Sequence, residues 1–240
     1  MTYRFVEEIN EVTDEVIDQL YEGDIGILIL RDVDQDIVER FGELLPQDLY
    51  SNKVVPVGTN DKSQDHVWST TEMLWHQDRA YNKSVHPFVG LYCIAADTGS
   101  SPTYFLDMQR AYHNSSEELK QKTDQVVCSN EVSKYFKQKE YPHHFRTPAW
   151  ERAYRMKARA EHPLVQSDKH GKYYFYSPAY TVTDYEQELK QECIKDEYTF
   201  VHHWSPRDLL VYNNLKTLHK RDDTAANVDR RHLRFAIGKK

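Results

Sequence analysis

The stretch Leu74-Trp75-His76-Gln77-Asp78 constrains this chain more than any other. It sets one imidazole and one carboxylate two residues apart. In extended chain, residues i and i+2 project from the same face, so His76 and Asp78 can reach one point in space without a special turn. Two such ligands, completed by a distant His, make the two-His-one-carboxylate face used by non-haem Fe(II) enzymes. Taken alone, the pair is also compatible with a surface His beside a solvated Asp.

The chain has 240 residues, 39% of them hydrophobic, enough for one domain with a substantial core. We expect residues 1–240 to form that single domain. Only eight residues are Gly, and neither GxGxxG nor GxxxxGK[ST] occurs, which excludes the common phosphate-cradling loops. A formal net charge of -7 argues against nucleic-acid binding. Cys93, Cys128 and Cys193 are far apart and form no CxxC, which fits a reducing cytoplasm better than a disulfide framework. No apolar run approaches membrane length, so a soluble cytoplasmic protein with no membrane partner is expected. A homo-oligomer is compatible with all of this.

Along the chain, Val12, Val16, Ile17 and Leu20 recur at helical spacing behind Thr13, a suitable N-cap, and Gly23 closes the helix. Ile25 to Leu30 is a buried strand, and Asp34 to Leu44 a second amphipathic helix. Residues 46–72 form a polar loop region. Phe88 to Ala95 and Thr103 to Leu106 are strands, and Asp107 to Lys122 is helical. Residues 123–160 are charged and aromatic, with a basic run from Lys134 to Arg146; they predict a helical insert or a lid. A hairpin joins His162–Val165 to Tyr173–Tyr176, followed by a helix from Asp184 to Lys195. Strands at Phe200–Trp204, Leu209–Tyr212 and Arg234–Ile237 finish the chain, with His219 on a short strand or turn. Many short strands with a few flanking helices predict a mainly β fold with a jelly-roll core.

The second half supplies what the His76 stretch lacks. His219 is followed by Arg230 eleven residues on and Arg234 fifteen on. Guanidinium forks recognise carboxylates, and Thr103 could offer a hydroxyl to the same anion. Three protein ligands on one face of Fe(II) leave the opposite face open for a bidentate 2-oxo acid and O2.

These pieces, in this order, resemble the taurine dioxygenase (TauD/TfdA) family of Fe(II)/2-oxoglutarate oxygenases. The matching segments are Trp75-His76-Gln77-Asp78; Thr103 to Met108 with Ala111-Tyr112; His162-Pro163-Leu164-Val165; Tyr174-Phe175-Tyr176-Ser177; and Trp204 through Asp208 to Asn214, His219, Arg230 and Arg234. The resemblance runs from about Val16 to the C-terminus. It implies a double-stranded β-helix core, iron ligands at His76, Asp78 and His219, and 2-oxoglutarate contacts at Thr103 and Arg230. Arg234 falls where family members often hold the substrate's acid group. Taurine-using members carry a His in the region after Leu44, where this chain has Leu45-Pro46-Gln47, so taurine is disfavoured. Arg207 stands where the turn usually has Gly. The segment Val132 to Lys139, with Tyr135-Phe136-Lys137, also resembles a subgroup that oxidises N-substituted amino acids to isonitriles, which makes Lys137 a candidate substrate contact.

The resemblance implies an oxygenase that consumes 2-oxoglutarate and O2, releases succinate and CO2, and hydroxylates an unactivated C–H. Because 2-oxoglutarate needs one of the two guanidiniums, the second suggests a small anionic substrate such as an amino acid or another carboxylic acid. Desaturation, or oxidation toward an isonitrile, is an alternative outcome on the same scaffold. A non-catalytic 2-oxoglutarate or metal-binding protein is an alternative of another class.

Overall fold

A computed structural model of the protein describes residues 2–38, 41, 55–58, 72–139, 155–223 and 228–237. The chain enters on β1 (Arg4–Ile9), then α1 (Asp14–Tyr21) and β2 (Ile25–Leu30). Thr13 caps α1 by accepting the Val16 N–H at 3.3 Å, satisfying a donor the helix leaves open. Gly23 then turns the chain at φ 76°, a left-handed conformation that costs glycine nothing. The strands that follow are β3 (Val55–Gly58), β4 (Met73–His76), β5 (Phe88–Ala96) and β6 (Thr103–Asp107).

Asp107 accepts the N–H groups of Gln109 and Arg110 and starts α2 (Met108–Asn114); Ser116 caps α3 (Glu117–Thr123). The expected helix from Asp107 to Lys122 is therefore two helices, split where Ser115 is extended. Next come β7 (Val127–Glu131), α4 (Val132–Lys139), β8 (Arg159–Pro163), β9 (Val165–Asp168), β10 (Gly171–Tyr174), β11 (Thr181–Val182) and α5 (Glu186–Cys193). The chain ends with β12 (Thr199–His202), β13 (Leu209–Asn213), β14 (Thr217–Arg221) and β15 (Arg230–Ile237).

Two facing sheets form the core. One has six strands in the order β1-β2-β13-β5-β15-β3, the other four in the order β12-β6-β14-β4. This is the expected mainly β jelly-roll architecture. All neighbours in these sheets are antiparallel except β1 and β2. The apolar run of β2 has a direct cause. Ile25, Leu28 and Leu30 pack against α1 and Phe88, while Ile27 and Ile29 pack with Phe105, Trp204 and Tyr212 between the sheets. A strand covered on both faces needs no polar alternation.

Where the sequence pattern is weak, expectation and structure differ. β1 was not anticipated: it carries Arg4, Glu7 and Glu8 and lies at the sheet edge, where charged residues are tolerated. Residues 123–160 are not a wholly helical insert. β7 pairs with β8 and β11 in a three-stranded sheet, and the described helical part is α4, with residue 155. The rest of that basic run, including His143, His144 and Arg146, lies outside the described residues, as do most of residues 46–72 and the position after Leu44. Of the expected helix from Asp34 to Leu44, residues 36–38 and 41 are helical. Among the described residues no helix is long and apolar enough to cross a membrane.

Gly90 shows how tightly β5 and β15 pack. A Cβ there would lie 2.0 Å from Cζ of buried Phe235. Overpacking of this kind costs about 1–3 kcal/mol. Gly90→Ala is therefore expected to lower Tm by about 2–12 °C, measured by thermal unfolding; an unchanged Tm would mean that the Phe235 ring can swing aside.

Candidate metal and co-substrate site

The sheets bring distant residues together through register. His219 on β14 lies directly opposite His76 on β4, so their rings sit 4.1 Å apart between centroids. Thr103 on β6 pairs with Arg221 on β14. The facing sheet contributes Tyr212 from β13, and Arg230, His232 and Arg234 from alternate positions of β15. All of these except His76 line one cavity that opens partly to solvent.

Asp78 arrives differently from expectation. β4 ends at His76, and Asp78 sits in the turn that follows, with Arg79 at φ 55°. The pair does not share a strand face. The turn is clasped instead by buried Asn214, which accepts the Asp78 N–H at 2.8 Å and donates to the carbonyls of Asp78 at 3.0 Å and His86 at 2.9 Å. Next to it, Gln77 donates its backbone N–H to Ser177 and its side-chain amide to the Leu215 carbonyl. In the sequence Asn214 carries no signal beyond the Asn213-Asn214 pair ahead of His219.

One ligand atom each from His76, Asp78 and His219 lies within 4.8 Å of the others, all three residues buried. Asp78 Oδ1 is 3.5 Å from His76 Nε2 and 3.9 Å from His219 Nε2. His76 Nδ1 is 2.7 Å from the Leu74 carbonyl. That contact places the proton on Nδ1 and leaves Nε2 free to ligate. Burial, then the neighbouring His76, pushes the His219 imidazole down to about 3, so it is neutral. Burial alone would raise the Asp78 carboxyl. Arg234, with His76 and His219, outweighs it and holds the group well below the usual carboxylate range. Two imidazoles and one carboxylate are the donor set Fe(II) takes, and these residues fit it.

Arg230 is buried behind this group. Its Nη2 donates to Thr103 Oγ1 at 3.1 Å and its Nε to the Ser101 carbonyl at 3.2 Å. Trp204 Nε1 donates to the same Thr103 oxygen at 2.9 Å. Burial, then Arg221, lowers the guanidinium to about 9, still cationic at neutral pH. Arg221 and His232 were not anticipated as cavity residues. His232 is buried, neither of its ring nitrogens has a hydrogen-bond partner among the described residues, and burial followed by Arg230 and Arg221 keeps it neutral.

Arg234 corrects one expectation. It is already engaged with a metal-ligand candidate through one edge: its Nη2 and Nε lie 2.6 and 3.1 Å from Asp78 Oδ2. Tyr212 reaches the same oxygen, its hydroxyl 3.3 Å from Oδ2 and 3.4 Å from His219 Nε2. Burial, then Asp78, raises the phenol well above its usual range, so it acts as a donor. Lys137 is placed elsewhere: it is exposed on α4 and does not line the cavity, while its neighbour Lys134 is paired with Glu186 at 2.7 Å. Arg231 is exposed and bonded to Asp229 at 2.9 and 3.1 Å. Arg207 has φ 73° and bridges to Asp32 at 2.8 Å and Asp34 at 3.0 Å; those ion pairs accompany a conformation usually given to Gly.

A sequence profile described as "Taurine catabolism dioxygenase TauD, TfdA family" matches residues 3–236. No curated protein matches the sequence. Among solved structures, AAD-2 in complex with Mn(II) and N-oxalylglycine is similar with TM-score 0.75 and 16% identity, over 99% of this chain and 97% of that one. A taurine dioxygenase from Burkholderia xenovorans is similar with TM-score 0.70 and 14% identity, over 100% of this chain and 88% of that one. At such identities the likeness concerns the fold.

Proposed function

The chain belongs to the TauD/TfdA family of Fe(II)/2-oxoglutarate-dependent dioxygenases, and from that premise we propose that it hydroxylates an unactivated C–H of a small anionic substrate, an amino acid or another carboxylic acid. The observation that carries this reading is one cavity holding His219 and Asp78 of the buried ligand group together with Arg230 and Arg234. Iron, when bound, supplies O2 activation coupled to the oxidative decarboxylation of 2-oxoglutarate to succinate and CO2.

The protein's own part is positioning. His76, Asp78 and His219 hold the metal. Arg230, with the Thr103 hydroxyl beside it, takes the distal carboxylate of 2-oxoglutarate through charge-assisted bonds. Trp204 fixes the Thr103 hydroxyl as an acceptor from the indole, which leaves the hydroxyl proton for the incoming anion. Arg234 lies nearest the metal ligands, and the edge of its guanidinium not spent on Asp78 is available to a substrate acid. Cys93 and Cys193 are buried thiols pushed up to about 12, chiefly by desolvation, and Cys128 is raised as well. Three buried thiols outside any disulfide suit a reducing cytoplasm.

The test is reconstitution under anaerobic conditions. One Fe(II) per chain and a weak visible charge-transfer band on adding 2-oxoglutarate are expected. His219→Ala should lose both; full iron binding with the band intact in that variant would remove His219 from the ligand set. A substrate screen scored on succinate, with product mass, then separates hydroxylation from desaturation or isonitrile formation. A chain that binds iron and 2-oxoglutarate but releases no succinate with any candidate would be a binding protein.

A further inference from the structure

We propose that Arg234 and Tyr212 are positioning residues for the metal ligand Asp78, occupying one of its carboxylate oxygens so that it offers iron only the other. This rests on the functional reading above. A guanidinium fork beside a carboxylate commonly gives one N–H to each oxygen. Arg234 does not: Nε and Nη2 both point at Oδ2, at 3.1 and 2.6 Å. The Tyr212 hydroxyl adds a third donor to the same atom at 3.3 Å. An ionised carboxylate has about four lone-pair positions over its two oxygens. Three donors on Oδ2 leave that atom nothing to give a metal. Oδ1 is the atom that faces His76 Nε2 and His219 Nε2, at 3.5 and 3.9 Å.

The consequence is a count of open positions. Two imidazoles and one carboxylate oxygen occupy one face of the metal and leave room for a chelating 2-oxo acid together with O2. Were Asp78 to chelate through both oxygens, a position would be lost. Tyr212 and Arg234 come from the sheet facing the one that carries His76 and His219, so the closed sandwich sets the ligand's geometry.

Arg234→Gln and Tyr212→Phe test this with readouts other than turnover. In anaerobic titrations Arg234→Gln is expected to bind Fe(II) at least as tightly as wild type, by up to about tenfold, because a cation beside the metal is gone and Asp78 can chelate. Nitric oxide, the probe standing in for O2, should bind the Fe(II)–2-oxoglutarate complex about tenfold more weakly or not at all, read from its electron paramagnetic resonance signal. Tyr212→Phe should shift nitric oxide binding the same way by a smaller factor, and Arg234→Lys should restore it in part. Circular dichroism confirms that each variant is folded. Nitric oxide uptake unchanged in both Arg234→Gln and Tyr212→Phe would overturn the proposal, as would loss of Fe(II) from a folded Arg234→Gln, which marks a merely structural role. A wild-type chain that takes up no Fe(II) would overturn the functional reading itself.

Discussion

Arg230→Ala is expected to raise the 2-oxoglutarate requirement by a factor of roughly 30 to several thousand while the iron stays bound. Losing a buried charge-assisted contact costs roughly 2–5 kcal/mol, and each 1.4 kcal/mol is about tenfold. The iron should stay because Arg230 touches none of the three ligands; its bonds go to Thr103 and the Ser101 carbonyl. Arg230→Lys should recover only part of the affinity, since an ammonium cannot reproduce the fork. Titrating 2-oxoglutarate anaerobically into the Fe(II) protein, followed by the visible band, measures both variants. An unchanged requirement would move the role to Arg221, which shares the cavity. It would not move to Arg231, which is exposed and already bonded to Asp229.

What the sequence made legible, and what it hid, follows from how local each cause is. β2, β5 and β13 are apolar runs whose burial is written in their own residues, and they lie where the pattern placed them. The spacing from His219 to Arg230 and Arg234 was enough to put three cavity residues in register, because β14 and β15 hold them on buried faces. β1 and β7 were missed because neither is strongly apolar. Their pairing is decided by partners far along the chain, Ile25–Leu30 for β1 and Arg159–Pro163 for β7. The Asp78–Arg234 ion pair joins the turn after β4 to β15 across 156 residues, and no local pattern in the sequence marks it. Arg221 and His232 belong to no local motif; β14 and β15 make them cavity residues by closing around them.

Asn214→Ala is expected to have the largest effect on stability, with a loss of metal affinity alongside it. Asn214 is fully buried and bonds three backbone groups: the N–H and carbonyl of Asp78 and the carbonyl of His86. Alanine removes all three partners at once. A buried backbone group left unsatisfied costs about 1–3 kcal/mol, so roughly 2–6 kcal/mol is at stake even if one of the three finds water. The turn carrying Asp78 would then be held mainly by its ion pair with Arg234. A ligand whose supporting bonds are cut typically loses about 10–100-fold in metal affinity. Asn214→Asp is the informative companion. It keeps an acceptor for the Asp78 N–H but has no amide donors for the two carbonyls, and it buries a second charge beside the ligand. It should therefore be no better than alanine. Denaturant unfolding of the metal-free protein gives the first quantity and anaerobic Fe(II) titration the second. An alanine variant as stable as wild type, with unchanged iron affinity, would mean that Arg234, Tyr212 and the Gln77 bonds suffice to hold Asp78 and that the Asn214 clasp is incidental.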